Sequence, residues 1–142
     1  MNDITTDLDD PPVFDAVIPL RPQSSNPIEY GGPDDAANQR AAHPEVQPIF
    51  TEMSSADAFQ RALRVANDMG WNVVAESATH GIIEAVDTTR LFRFKDDIVV
   101  RVRATAQGSR VDLRSRSRIG LSDLGKNAAR IMAYSAAFTP SN

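Results

Sequence analysis

Two segments of the chain carry apolar residues at helical spacing. The first begins at Ser54 or Ser55, either of which can cap a helix, and ends at Gly70. Its apolar positions are Phe59, Ala62, Leu63 and Ala66. The second begins with Ser122 as its cap and is stopped by Pro140. One stripe along it consists of Leu124, Ala128, Ile131, Ser135 and Phe138, and all of these except Ser135 are apolar. We therefore expect one helix on each side of the intervening segment.

Between these helices, apolar and polar residues alternate as they do in strands with one buried face. The segments with this alternation are residues 71–76, 82–86, 92–106 and 110–118. His80 and Gly81 mark a turn between the first two of them. The pattern predicts four strands that follow one another directly along the chain.

The last two strands form a hairpin whose loop decides which side chains face each other. A two-residue loop at positions 107–108 would place Arg103 opposite Asp112 and Arg101 opposite Arg114. The arginines that share this face are Arg101, Arg103, Arg114, Arg116 and Arg118. The opposite, buried face includes Val102, Leu113, Ser115 and Ser117. The two buried hydroxyl groups need hydrogen-bond partners.

Residues 1–50 differ in composition from the rest of the chain. They hold eight of the nine prolines, spaced so that we expect no helix or central strand longer than a few residues. Apolar anchors distinguish the segment from a solvated tail. They include Phe14, Val17, Ile18 and Tyr30. We therefore expect an extended, acidic, proline-rich arm over residues 1–50, docked on a domain that spans residues 51–142.

After the arm, the predicted order is one helix, four strands and one helix. This order packs most simply as an α+β two-layer sandwich, in which a four-stranded antiparallel meander carries both helices on one face. A chain of 142 residues with 42% hydrophobic positions can bury one such core. We expect a single α+β domain preceded by the arm.

Charge is unevenly distributed along the chain. Residues 1–50 hold nine acids and two bases, whereas residues 90–118 hold nine bases and three acids. The acidic arm can therefore pair with the basic part of the sheet. The net charge of −4 argues against nucleic acid as a partner, and against nonspecific binding to an anionic membrane as the main function. The chain has no cysteine, which excludes disulfides and thiolate chemistry, and no apolar run long enough for a membrane span, so we expect a soluble chain.

The five arginines on one sheet face need compensation, because like charges at adjacent cross-strand positions repel. One interpretation is an internal ion-pair ladder with nearby aspartates, Glu84 or the acidic arm. The other is a site for an anionic small molecule or an acidic protein segment, aided by the amides of the helix that starts at Ser122. Its candidate residues are Arg101, Arg103, Arg114, Arg116, Arg118 and Ser122. The candidate supporting acids are Asp96, Asp97, Asp112 and Asp123.

Groups suited to catalysis are few. Asp96, Asp97 or Asp112 could serve as the general base of a hydrolase or transferase. Asp96 and Asp97 are adjacent on a strand, however, so their side chains point to opposite faces of the sheet. His43 and His80 have no partner histidine at metal-ligand spacing, and we expect neither a metal nor a cofactor. An accessory or binding domain is therefore favoured over an enzyme, and a purely structural partner-binding protein is a third interpretation.

Several polar motifs lie between the second predicted strand and the last helix. They are Ile83-Glu84-Ala85, Phe94-Lys95-Asp96-Asp97, Arg101-Val102-Arg103, the run 112–120 and Ser122-Asp123-Leu124-Gly125. The start of the chain adds Asn2-Asp3-Ile4-Thr5-Thr6-Asp7, Pro11-Pro12 and Phe14. Together these motifs resemble a bacterial family, the domain of unknown function numbered 1499, over nearly the whole chain. The resemblance implies no established activity. It implies association with the cell envelope or a membrane surface, and a protein partner in a membrane-associated assembly.

Overall fold

The fold is that of a computed structural model, which describes residues 1–120 and 125–139. Its strands are β1 (Asp3–Thr5), β2 (Ile49–Thr51), β3 (Asn72–Ser77), β4 (Ile82–Thr88), β5 (Lys95–Thr105) and β6 (Gly108–Ser117). Its helices are α1 (Pro33–Ala42), α2 (Ser55–Asp68) and α3 (Lys126–Phe138), together with a short 3-10 helix at Ile18–Leu20. The predicted α+β class is confirmed.

The six strands form one antiparallel sheet. Their order is β1-β6-β5-β4-β3, and β2 also pairs with β6. Strands β3 to β6 lie beside their sequence neighbours, whereas β1 and β2 come from the arm and pair with separate parts of β6. The prediction of four strands and two helices was therefore incomplete, since the described residues contain six strands and three α-helices. The additional elements come from residues 1–51.

Helices α2 and α3 cover one face of the sheet. Ser54 caps α2 as predicted, because its Oγ accepts a hydrogen bond from the amide of Asp57 at 3.1 Å. Between the helices, Trp71 stacks on Tyr134 with ring centroids 5.2 Å apart. Core residues on this face include Phe59, Ile83, Ile98, Val100, Leu113, Ile131 and Phe138. The sheet and these two helices form the two layers of the predicted sandwich.

The hairpin of β5 and β6 has a different register from the predicted one. Its loop begins one residue earlier, so that Gly108 is already the first residue of β6. Arg103 lies opposite Arg110, not Asp112, and the predicted register was wrong by two residues. Arg101 in turn lies opposite Asp112. A side chain at Gly108 would clash with the backbone at the end of β2, which explains a glycine inside the strand. A shift of two residues preserves parity, so each side chain stays on its predicted face.

The arm contains a helix that its prolines did not lead us to expect. The ten-residue α1 runs from Pro33 to Ala42, and the expectation that no such helix could form was wrong. Pro33 occupies the first turn, where an amide has no acceptor within the helix, and the next proline is Pro44. The side-chain amide of Gln39 accepts from the Thr5 amide at 3.0 Å and donates to the Thr5 carbonyl at 2.7 Å. Gln39 of α1 thus occupies the backbone donor and acceptor of Thr5 on β1, the outermost strand of the sheet.

The middle of the arm crosses the sheet face that α2 and α3 leave open. Phe14 and Val17 are buried there against Val86 and Val99. The sheet therefore lies between two helices on one side and irregular chain on the other. The boundary at residue 50 between an arm and a separate domain stays a prediction.

Candidate functional site

The arm-covered face carries two groups of charged side chains, placed there by the alternation along β5 and β6. We call the first, near the β5–β6 loop, the loop-end group: Arg101, Arg103, Arg110, Asp7, Asp10 and Asp112. We call the second the Arg116 cluster: Arg21, Arg114, Arg116, Arg118, Asp3 and Asp97. The arginine row predicted from the sequence is divided between them.

The loop-end group is balanced in charge. Asp112 is buried and accepts hydrogen bonds from Arg110 Nε and Thr6 Oγ1, each at 2.7 Å. The Oδ2 atom of Asp7 lies 3.1 Å from Arg101 Nη2 and 3.2 Å from Arg103 Nη2. Three guanidiniums therefore face three carboxylates, with Asp10 as the third acid.

The pKa shifts in the loop-end group agree with this balance. Burial would raise the pKa of Asp7, but two backbone amides and the guanidiniums of Arg110 and Arg101 outweigh it and hold the pKa below 3.8. The pKa of Arg110 is raised, chiefly by its hydrogen bond to Asp112. Both groups are therefore stabilised in their charged forms.

Arg114 ties the arm to the sheet. It is 2% exposed, and its Nε and Nη2 atoms each donate to the Asp3 carboxylate at 2.9 Å. Nη1 donates to the carbonyl of Pro12 at 3.1 Å, and Nη2 also donates to that of Ile28 at 2.6 Å. Three separate parts of the arm thus converge on one buried guanidinium.

Two aromatic rings complete the environment of Arg114. Its guanidinium lies 4.8 Å from the ring centroid of Phe14 and 5.6 Å from that of Tyr30. Burial, together with the nearby charges of Asp3 and Asp35, raises the pKa of Tyr30 to about 12. The phenol is therefore held in its neutral form over the pH range in which an ordinary tyrosine begins to ionise.

Asp97 is shared by two arginines of the Arg116 cluster. Arg118 approaches it through Nε at 3.0 Å and Nη2 at 2.9 Å. Arg21 also donates to Asp97, and it donates to the carbonyl of Asn26 as well. Arg21 and Asn26 belong to the arm, so this carboxylate joins the arm to the end of β6.

Arg116 is only partly bonded. Its Nη1 atom donates at 2.9 Å to Asp3, which Arg114 already binds, and at 3.3 Å to Asn2 Oδ1. Its Nε atom is buried and has no hydrogen-bond partner in the part of the chain that the structure describes. Burial lowers the pKa of Arg116, and the charges of Arg114 and Arg21 lower it further against the opposing effect of Asp3. In the described residues, the cluster brings four guanidiniums onto two carboxylates.

Glu84, one of the candidate partners of the arginines, binds the arm backbone instead. Its buried carboxylate accepts hydrogen bonds from the amides of Asp15 at 2.9 Å, Ala16 at 2.8 Å and Val17 at 3.3 Å. These amides precede the 3-10 helix at Ile18–Leu20, where backbone donors have no acceptor within the helix. Glu84 therefore fixes the arm on the face of β4.

Asp96 lies on the opposite face from Asp97, beneath α3, as strand alternation predicted. Arg130 Nη2 donates to its carboxylate at 2.7 Å. Burial raises the pKa of Asp96 despite this contact. Asn127 connects the two predicted core hydroxyls, accepting from Ser115 Oγ at 2.6 Å and donating to Ser117 Oγ at 2.8 Å. The serines thus have the partners that their burial requires.

The structure separates the residues that the sequence grouped as one site. Arg114, Arg116, Arg118 and Asp97 meet in the Arg116 cluster. Arg101, Arg103 and Asp112 lie in the loop-end group, and Asp96 lies on the other face. Ser122, Asp123, Leu124 and Pro140 lie outside the described residues; α3 begins at Lys126. The residues that sequence reasoning missed are Arg21, Arg110, Arg130 and Asn127, whereas Tyr30 was predicted as an apolar anchor of the arm. Only Arg21 carried a signal, as one of two bases in an acidic arm.

Within residues 1–120 and 125–139, no group of three or more His, Cys, Asp and Glu side chains could hold a metal ion. No helix of the same described part is long and apolar enough to cross a membrane. His80 Nδ1 lies 2.9 Å from Ser77 Oγ, and His43 Nδ1 lies 3.3 Å from Glu45 Oε1.

One family matches the chain over the arm and the sheet together. The family model described as "Protein of unknown function (DUF1499)" matches residues 3–138. The match runs from the first residue of β1 to the last residue of α3. No curated protein matches the chain. The match confirms the resemblance seen in the polar motifs, and the chain belongs to the DUF1499 family of proteins of unknown function.

Proposed function

We propose that this chain is a non-enzymatic binding domain that holds a small anion at Arg116. The observation that carries the proposal is the charge of the Arg116 cluster, in which, among residues 1–120 and 125–139, four buried or nearly buried guanidiniums share two carboxylates. Buried charge without a partner is strongly unfavourable. A bound anion would supply the missing negative charge.

The contrast with the loop-end group supports this assignment. Arg110 and Arg116 lie on the same face of β6, yet their pKa values shift in opposite directions. Arg110 has Asp112 as a close partner, whereas Arg116 shares Asp3 with Arg114. The difference has two causes: Arg116 is more deeply buried than Arg110, and it lies beside the guanidiniums of Arg114 and Arg21 with less negative charge of its own. Arg101 Nε, like Arg116 Nε, is buried without a hydrogen-bond partner among the described residues. The charges of Arg101 and Arg103 are nevertheless balanced by Asp7, Asp10 and Asp112, so we place both arginines outside the proposed site.

Donors for an anion come from both the sheet and the arm. Within the described ranges, the Nε atom of Arg116 and the Oγ atom of Ser25 are buried without hydrogen-bond partners. Ser25 precedes Asn26, whose amide donates to the Arg118 carbonyl at 2.6 Å. Guanidinium and hydroxyl donors suit the oxygens of a carboxylate, phosphate or sulfate group. An acidic protein segment fits less well, because Asp3 and Asp7 of the arm already occupy this face.

Thermal unfolding with added anions tests the proposal. At matched ionic strength, phosphate, sulfate, acetate or glycerophosphate should raise the Tm of the wild type above its value in chloride. Arg116→Gln should lose this increase. The matched control is Arg103→Gln, which removes a guanidinium from the loop-end group and should keep the increase. If no anion stabilises the wild type more than Arg116→Gln, the cluster is structural and the proposal is wrong.

The catalytic alternative lacks an open carboxylate. Asp97 and Asp112 are fully buried, and each contacts at least two guanidiniums. Asp96 is buried against Arg130. A general base must reach a proton on its substrate, and these contacts oppose such access. We therefore favour a binding function over a hydrolase or transferase activity.

The partner-binding alternative is favoured by one observation, the exposed apolar residues along the arm. Val13, Ile18 and Leu20 point part of their surface to solvent. Val13→Ser should abolish the binding of a protein partner at this surface and leave the anion-dependent rise in Tm unchanged. Association of the domain with a membrane surface is also proposed, from a different part of the molecule.

A further inference from the structure

The connection between β4 and β5 presents an unusual combination of exposed residues. We call it the 90–95 loop: Arg90, Leu91, Phe92, Arg93, Phe94 and Lys95. All of its residues are exposed, with Leu91 at 81%, Phe92 at 65% and Phe94 at 44%. Large apolar side chains exposed together on a loop contribute little to the core, and grouped exposure of this kind marks an interaction surface.

The loop has a defined conformation. The Thr89 amide donates to the Phe94 carbonyl at 2.8 Å, and the Phe94 amide donates to Thr89 Oγ1 at 2.9 Å. These bonds close the loop at its base. Phe92 and Phe94 stack with ring centroids 5.6 Å apart. The apolar surface is therefore held in place before any partner binds, which lowers the entropic cost of docking.

The apolar surface extends to the neighbouring strand end. The Arg118 amide donates to the Lys95 carbonyl at 3.1 Å, which continues the pairing of β5 and β6 beyond Asp96 and Ser117. In this continued register Ile119 lies opposite Phe94, and it is also exposed. The apolar tip thus has support from two chain segments.

The charges of the loop identify its partner. Between Asp87 and Asp96 every ionisable residue is basic: Arg90, Arg93 and Lys95. Aromatic and aliphatic side chains flanked by cations are the composition of segments that lie in the interface of an anionic bilayer. In such segments the apolar side chains enter the headgroup region of the bilayer, and the long basic side chains reach the lipid phosphates. We propose that the 90–95 loop docks the domain on an anionic bilayer surface.

A second copy of the chain is a poorer occupant. Self-association through this loop would bring six cations together, two sets of the three in each copy, and like charges across an interface oppose binding. The exposed apolar side chains here are confined to Leu91, Phe92, Phe94 and Ile119, whereas a protein partner of ordinary size would need a broad complementary face. Docking does not require the Arg116 site, so either proposal can fail without the other.

Vesicle sedimentation with the complete chain tests the docking. The wild type should sediment with phosphatidylcholine vesicles that contain phosphatidylglycerol, and salt should weaken the association. Arg90→Gln with Arg93→Gln should weaken partitioning roughly 30-fold, since each cation near an anionic surface contributes about fivefold. Phe92→Ser should also weaken it, and Phe92→Trp should give a blue-shifted emission on vesicles.

Two controls are matched to these changes. Phe50→Ser removes an aromatic ring of similar exposure, 68%, from β2, and Arg64→Gln removes an exposed cation from α2. Both should bind vesicles like the wild type. The proposal is overturned if the wild type does not bind anionic vesicles, if the loop variants bind as well as the controls, or if Phe92→Ser instead abolishes a wild-type dimer in solution.

Discussion

Removal of the Arg114 guanidinium should loosen the arm from the sheet. Arg114→Met keeps an unbranched side chain of similar length and deletes every hydrogen bond to Asp3, Pro12 and Ile28. Breaking a buried ion pair by removing one partner costs about 3–5 kcal/mol. We expect about 3 kcal/mol, the lower end, because Arg116 still contacts Asp3. That is a large part of the roughly 5–15 kcal/mol that stabilises a typical domain.

Urea unfolding measures this loss, with Arg103→Met as the matched control. Arg103 is 41% exposed, and its contacts to Asp7 and Asp112 lie at the sheet end. Exposed ion pairs contribute little, so the control should cost less than about 1 kcal/mol. In Arg114→Met, hydrogen exchange should also become faster at the amides of residues 10–30, while the amides of the sheet keep their protection.

Equal free energies of unfolding for the two variants would refute the reasoning. So would unchanged exchange in residues 10–30 of Arg114→Met. Either result would mean that the arm is held by its apolar contacts at Phe14 and Val17 and not by the buried guanidinium.

Two pH effects follow from the shifted groups. The pKa of Tyr30 is raised from 10.0 to about 12, so the stability linked to its neutral form is complete below pH 10.0 and is lost as the pH rises toward 12. Absorbance titration of the wild type and Tyr30→Phe should locate this ionisation, and a group that ionises near its ordinary value would contradict the burial argument. The pKa of Asp7 lies below 3.8, so its contribution is present above that pH and is lost as the pH falls below it. Asp7→Asn should therefore flatten the acid limb of the stability profile, and an unaltered limb would speak against its pairing with Arg101 and Arg110.

Local patterns predicted the elements and the faces of the main sheet. Alternation along β5 and β6 assigned Asp96 and Asp97 to opposite faces correctly, because side-chain direction depends only on parity. The cap at Ser54 was also readable from neighbouring residues. The register of the β5–β6 hairpin could not be predicted in this way. It depends on the length of the loop and on the packing of β2 against Gly108, and the alternation of residues encodes neither.

Contacts between distant parts of the chain account for most of the missing structure. β1 has only three residues, and Asp3 meets Arg114 across 111 positions of sequence. Nothing local in Asp3-Ile4-Thr5 distinguishes a strand from extended arm. The helix α1 was missed for a different reason, since prolines were counted over the whole arm although the interval from Pro33 to Pro44 is free of them.

The candidate site was foreseen as a row of arginines but not as two groups. Spacing placed Arg114, Arg116 and Arg118 on one face, and the acidic arm was a stated partner for them. Which acid meets which base depends on the path of the arm, which the sequence pattern does not specify. The excess positive charge around Arg116 therefore became visible only with Asp3, Arg21 and Asp97 in place.

Calorimetric titration with phosphate tests the central claim, that the Arg116 cluster binds an anion. The wild type should bind one phosphate per chain with saturable heat, and higher chloride should weaken the binding. Arg103→Gln should bind as the wild type does, and Arg116→Gln should give no saturable heat. A wild type without saturable heat, or an Arg116→Gln variant that binds phosphate as the wild type does, would contradict the anion site.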